Sequence, residues 1–260
     1  MSAAAPAAGA RPQALLIVEG VGKDFGGFTA VEAVSLAVSA GELKAIIGPN
    51  GAGKTTLFNM LSGEIKPSRG CILYRGRDIG RVATHRLAHI GIGRSFQITN
   101  VFRNLTVLEN VRIAAQAKRH RNYDFASSAA SLAETDAVAE DVLATIGLTA
   151  YRAALASSLS HGDQRRLEIG IVLATDPELV LLDEPTAGMS REEARSTMAL
   201  IRDIAARRTV LFIEHNMEFV MGISQSVVVM QSGRIIAEGT PAEIRADPEV
   251  RRAYLGNLYE

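Results

Sequence analysis

Apolar positions in this chain fall into short runs, and between the runs they recur at helical spacing. Residues 14–18, 31–38, 43–47 and 71–74 are predicted as strands, with a further short one at 94–97. Ser39-Ala40-Gly41-Glu42 is a turn by composition, and a helix is predicted from about Lys54, after a glycine-rich loop. From about 98 to 158 the strand signal fades. Thr106 followed by Glu109 has the form of a helix-capping box, and residues 131–146 keep a helical period until Gly147. Strands are then predicted at 179–182, 210–213, 227–230 and 235–237, with Ser232-Gly233 turning between the last two. Ser190 with Glu193 caps a helix that carries Ala194, Thr197, Met198, Ile201, Ile204 and Ala205 on one stripe. Thr240, Pro241 and Glu243 open a last helix. This order predicts an α/β layered core interrupted by a helical lobe.

Composition narrows the class. A chain of 260 residues, 47% of them apolar, is one large domain or a domain with a lobe inserted in it. The 28 basic residues balance 28 acidic ones, which argues against a basic nucleic-acid binder and against a polybasic membrane anchor. Cys71 is the only cysteine, so no internal disulfide forms; it reads as a small buried apolar residue. The longest apolar run is five residues, where a bilayer span needs about twenty. Residues 1–13, rich in Ala and Pro, are expected to be a disordered leader. His85, His89 and His120 show no metal-ligand spacing, and Lys118-Arg119-His120-Arg121 reads as a solvated face.

The sharpest chemistry lies at 48–56, GPNGAGKTT, directly after an apolar strand. Gly48, Gly51 and Gly53 allow backbone N–H groups to turn inward around an anion, with Pro49, Asn50 and Ala52 between them. Lys54 reaches outer phosphates, Thr55 offers a hydroxyl to Mg²⁺, and Thr56 continues the helix start. The pattern predicts a nucleoside triphosphate site without distinguishing a GTPase, a kinase, a motor or a transporter. A second acidic site follows at 179–185, LVLLDEP, where a buried strand delivers Asp183 and Glu184 to the sheet edge that binds ligands. Asp183 is suited to hold Mg²⁺. Glu184 is suited to activate water, pointing away from Asp183 by strand alternation and biased to extended backbone by Pro185.

The segment 159–168, LSHGDQRRLE, adds a helix N-terminus with Ser160 as cap and Asp163 three residues on completing a box-like cap, a hydroxyl expected to be free, and a small Gly162. One phosphate loop and two anion sites in one chain suggest that the second serves another subunit. Here the chain resembles the ATP-binding subunits of ATP-binding-cassette (ABC) transporters over roughly 15–260. GPNGAGKTT resembles the Walker A loop, Gln97 the Q-loop glutamine, LSHGDQ the signature LSGGQ, LVLLDEP Walker B, 187–190 the D-loop and His215 the switch histidine. Phe25 falls where the family stacks an aromatic ring on adenine. His161 in place of the first signature Gly and Asp163 in place of Gln depart from the pattern. Asp163 is expected to turn from the phosphates towards Arg165 or Arg166. GIGRSFQ at 91–97, LTVLENV at 105–111, PTAGMS and the tail AYLG at 253–256 resemble the branched-chain amino-acid (LivG-like) uptake ATPases, a pattern shared with importers of urea, amides and small carboxylates.

The resemblance implies a P-loop NTPase (RecA-like) core at 14–97 and about 165–240, an antiparallel β subdomain, and an α-helical subdomain at about 98–164. A helical tail occupies about 241–260, all within one ABC ATPase domain. It implies ATP and Mg²⁺ as ligands, with Lys54, Gln97, Glu184 and His215 catalytic. Phe25, Gly48 to Thr56, Ser160 and Gly162 would bind nucleotide, and Thr55, Gln97 and Asp183 the metal. Two ATPase subunits, identical or related, would close head to tail, beneath integral membrane permeases at the cytoplasmic face of the membrane, with a solute-binding protein outside. Ile98, Val101 and Phe102 would meet the permease, or else pack the helical lobe onto the core. No guanine-reading N-K-x-D segment is present. A soluble ABC ATPase acting in iron–sulfur assembly is the rival of a different class.

Overall fold

The computed structural model describes residues 14–95, 101–117 and 129–252. Two sheets carry the fold. In the smaller, β2 (Phe28–Ser39), β1 (Ala14–Phe25), β4 (Arg69–Tyr74) and β5 (Arg77–Asp78) lie side by side in that order, antiparallel throughout. β1 and β2 outrun their apolar cores, continuing as a bulged polar hairpin to a turn at Gly26-Gly27. In the larger sheet the order is β10 (Arg234–Gly239), β9 (Ser226–Gln231), β3 (Leu43–Ile47), β8 (Thr209–Ile213), β7 (Leu179–Asp183) and β6 (Ile92–Arg94). All of these run parallel except β10, which returns antiparallel to β9 through Ser232 and Gly233, both with positive φ.

β3, β7 and β8 are buried at every position, as strands covered on both faces must be. Alternation along β3 then divides the core. Leu43, Ala45 and Ile47 join the apolar cluster shared with the helices, while Ile46 joins the cluster between the two sheets. Among the described residues the α-helices are α1 (Lys54–Leu61), α2 (Thr84–Ile90), α3 (Val107–Ala117), α4 (Ala129–Thr145), α5 (His161–Ala174), α6 (Arg191–Ala205), α7 (Met217–Ile223), α8 (Pro241–Ala246) and the short α9 (Pro248–Val250). The capping boxes at Thr106, Ser190 and Thr240 all form, and Gly147 ends its segment with φ 71°.

Two local expectations are corrected. The strand predicted at 94–97 lies at Ile92–Arg94, because Gly91 caps α2 in a left-handed conformation and pairing with β7 begins at once. Cys71 is half-buried: Ile72 and Tyr74 take the core face of β4, so Cys71 turns the other way, its Sγ 3.4 Å from Glu19 Oε2. The leader at 1–13 and the tail at 253–260 lie outside the described residues. Among the described residues, no helix is long and apolar enough to cross a membrane.

Candidate functional site

The loops that follow β3, β7 and β8 leave the large sheet at one edge, since those strands are parallel neighbours. The loop after β3 is wedged tightly. Gly53 has φ 95°, and a Cβ there would stand 2.5 Å from the Ala30 carbonyl oxygen; the same backbone knot ties Gly233 N–H to Ala52 O at 3.1 Å. Gly53 is also the N-cap of α1, so the N–H groups of the first helical turn open onto the loop. Lys54, 8% exposed, folds back and donates to Gly48 O (2.7 Å) and Pro49 O (3.0 Å). Burial lowers the pKa of its ammonium, against the pull of Glu184 and Asp183. The parallel pairing of β3, β8 and β7 carries those two carboxylates to the same sheet edge as the loop. Thr55 is exposed and Thr56 half-buried beside it.

Asp183 is wholly buried. Arg94 Nη2 donates to its Oδ2 at 3.1 Å, and Oδ1 has no hydrogen-bond partner. Burial pushes this carboxyl up, while Arg94 pulls it down. A buried carboxylate oxygen without a donor, at the sheet edge that also bears the phosphate loop, suits a hard cation such as Mg²⁺. Arg94 is a site residue that motif reading missed. Besides Asp183 it binds Ser62 Oγ (2.5 Å), Asn59 Oδ1 (2.7 Å) and Glu64 (3.1 Å), so it ties β6 and β7 to α1 and the residues after it. Its place in GIGRSFQ marked it, but not its partners.

Glu184 departs from expectation. Its φ is 46°, so it is neither extended nor part of β7, and strand alternation does not set its direction. The local preference imposed by Pro185 is overridden by three main-chain ties: Glu184 N–H donates to Ile213 O (3.0 Å), while its carbonyl accepts from Ala187 N–H (3.1 Å) and Arg165 Nη2 (3.1 Å). His215 follows β8, with its side chain 62% exposed and Nδ1 3.3 Å from Glu214 Oε2. Glu214, wholly buried, also accepts from Thr186 Oγ1 and from the His215 N–H, and so joins this loop to the residues after Glu184.

The second helix tip lies at α5. Ser160 caps it, accepting from Asp163 N–H at 3.1 Å and donating to Asp163 Oδ2 at 3.0 Å. The serine hydroxyl, expected to be free, is thus engaged. Asp163 turns back onto its own cap, with Arg166 3.9 Å from Oδ1, while Arg165 turns to Glu168. Gly162 packs so closely that a Cβ would stand 2.7 Å from Glu193 Oε1. His161 Nε2 lies 3.3 Å from Ala187 O.

Phe25 stands 46% exposed at the tip of β1, with Lys23 Nζ 5.1 Å from its ring centroid. Gln97 and Ile98 lie outside the described residues. Val101 is buried in the helical core cluster, whereas Phe102 is 57% exposed. Asn110 fixes the Phe102 backbone from both sides, accepting from its N–H (2.8 Å) and donating to its carbonyl (3.1 Å).

Comparison with known proteins places this geometry. The family model described as "ABC transporter" matches residues 31–187, and one described as "Branched-chain amino acid ATP-binding cassette transporter" matches 234–258. The chain is 42% identical over 252 residues to the high-affinity branched-chain amino acid transport ATP-binding protein LivG of Salmonella typhimurium, covering 94% of this chain and 98% of that one. Among solved structures it resembles the ADP conformation of the ATP-binding cassette MJ1267 (TM-score 0.82, 31% identity, 94% of this chain and 99% of that one). It also resembles the dimeric post-hydrolysis state of the cassette MJ0796 with ADP and phosphate (TM-score 0.74, 25% identity, 87% and 98%).

Proposed function

The chain belongs to the ABC transporter family as an ATP-binding, ATP-hydrolysing subunit, and on that premise we propose that it energises import of branched-chain amino acids. The cargo reading rests on the LivG relatives and on the match of residues 234–258. The subunit would sit at the cytoplasmic face of the membrane, under permease subunits that carry the pathway.

The observation that carries the mechanism is the buried, unpartnered Oδ1 of Asp183 at the sheet edge where the loop bearing Lys54 and the turn bearing Glu184 also leave the strands. Lys54 exchanges the carbonyls of Gly48 and Pro49 for phosphate oxygens, and the inward N–H groups of 48–56 take the rest. Thr55 and Asp183, with Gln97 as the family resemblance implies, would hold Mg²⁺. When bound, Mg²⁺ supplies charge neutralisation at the phosphates. Glu184 accepts a proton from the attacking water as the bond from the terminal phosphorus to ADP breaks, and His215 orients that water. Phe25 stacks on the base. Ser160 and Gly162 of a second subunit, identical or related, cover the terminal phosphate. This requires Ser160 to give up its bond to Asp163.

Glu184→Gln should bind ATP and hold the dimer, with turnover lower by about a hundredfold or more. Wild-type turnover in that variant would remove Glu184 from the role. Phe102, displayed on a backbone locked by Asn110, fits an apolar contact with a permease. Phe102→Asp should lose permease in a pulldown while keeping its own ATP binding; equal capture would defeat the docking assignment.

A further inference from the structure

We propose that Arg165 is a positioning residue that fixes the backbone turn carrying Glu184 and ties it to the helix whose tip covers the second nucleotide. The inference rests on the reading of Glu184 as the proton acceptor given above.

Arg165 lies one turn into α5 and is 8% exposed. A buried guanidinium is tolerated only when its charge and its donors are matched. Its Nη1 donates to Glu168 Oε2 at 2.6 Å, and Glu168 is itself 6% exposed. Its Nη2 donates to two successive main-chain carbonyls, Asp183 O at 2.6 Å and Glu184 O at 3.1 Å. In an extended strand, successive carbonyls point to opposite sides and cannot share one donor. They converge here because Glu184 is left-handed, a conformation uncommon for a residue with a Cβ. Arg165 and the turn therefore specify each other, and the planar fork is what allows one side chain to satisfy a carboxylate and two carbonyls together.

The consequence is mechanical. Ser160 caps the same helix five residues before Arg165. Movement of that tip onto a partner's nucleotide is passed by a rigid helical turn to the main chain of Glu184 in the subunit's own site. Each site's readiness to hydrolyse would then depend on closure at the other.

The test compares wild type, Arg165→Lys, the paired variant Arg165→Met with Glu168→Leu, and Glu184→Gln, in the full chain. The apolar pair avoids leaving a buried lone charge, so it keeps the question open if Arg165→Lys folds poorly. We expect kcat for ATP to fall about tenfold or more in both Arg165 variants, while the Kd for ATP changes by less than about threefold. Placing either change in the Glu184→Gln background should produce no further loss, because both act through one group. A kcat within about twofold of wild type in a folded variant overturns the proposal. So does a loss of kcat that tracks Tm, or one that multiplies with Glu184→Gln. Should Glu184→Gln itself turn over normally, it is the reading of Glu184 that fails rather than the part played by Arg165.

Discussion

Removing Arg94 exposes how far the buried carboxylate depends on the cation that is hydrogen-bonded to it. Arg94 and Asp183 are 6% and 0% exposed and meet at 3.1 Å. At an effective dielectric of about 20 that separation corresponds to roughly 5 kcal/mol of attraction, an upper bound on the pair. Arg94→Met would leave Asp183 buried with neither oxygen partnered and would also cut the ties to Asn59, Ser62 and Glu64. A broken buried pair costs about 3–5 kcal/mol. For a chain of this size, each kcal/mol is worth about 2–4 °C, so Tm should drop by roughly 6–20 °C. The assay is thermal unfolding by circular dichroism, without nucleotide and in EDTA. Arg94→Met with Asp183→Asn should recover about 2 kcal/mol or more of the loss, since the stranded charge is gone. A cost below about 1 kcal/mol for Arg94→Met, or strict additivity in the double variant, would refute the reasoning.

Gly53→Ala would put a methyl 2.5 Å from the Ala30 carbonyl oxygen at φ 95°; a stability loss of about 1–3 kcal/mol and about tenfold weaker binding of a fluorescent ATP analogue are expected. Unchanged affinity would show that the loop is looser than described. Hydrogen bonds from the Arg75 guanidinium hold the Glu178 carboxyl below its usual range. The stabilisation is therefore present above the unfolded pKa and vanishes as pH falls through the folded value. With Glu178 37% exposed, it is worth at most about 1 kcal/mol. Wild type should exceed Glu178→Gln in Tm at about pH 6, and the gap should narrow as pH falls below the ordinary carboxylate range of about 4.3; a difference that stays constant in acid would mean that charge is not its source.

The buried strands were legible because β7 and β8 are near-continuous apolar runs and β3 is interrupted only by Lys44, a pattern with one reading once the runs alternate with helices. The capping boxes were legible because they are local: Ser190 and Glu193 need only three residues of chain. α2 was not, since THRLAHI buries Leu87 alone and shows no apolar stripe. The glycine-rich loop after β3 and Asp183 at the end of β7 lie where the sequence put them, because each is local to the strand that it follows. The conformation of Glu184 was misread because the influence of Pro185 is visible in sequence, whereas Ile213, Ala187 and Arg165 act on it through folding. Arg94 and Arg165 illustrate the same limit. Both stood inside quoted motifs, yet their partners at Asp183, Asn59 and Glu168 follow from which strands and helices lie side by side.

The clamp of Asn110 on Phe102 bears on how the subunit would meet its neighbours. A ring on a wandering loop must be immobilised at the moment of contact, and that entropy is subtracted from whatever the contact gains. Here the loss has already been absorbed in folding, since the main chain of Phe102 is held at both its N–H and its carbonyl. Attachment through this ring would then be set by the match of its surface to the partner rather than by the cost of stilling it. Docked and undocked forms could therefore interchange without rebuilding the loop.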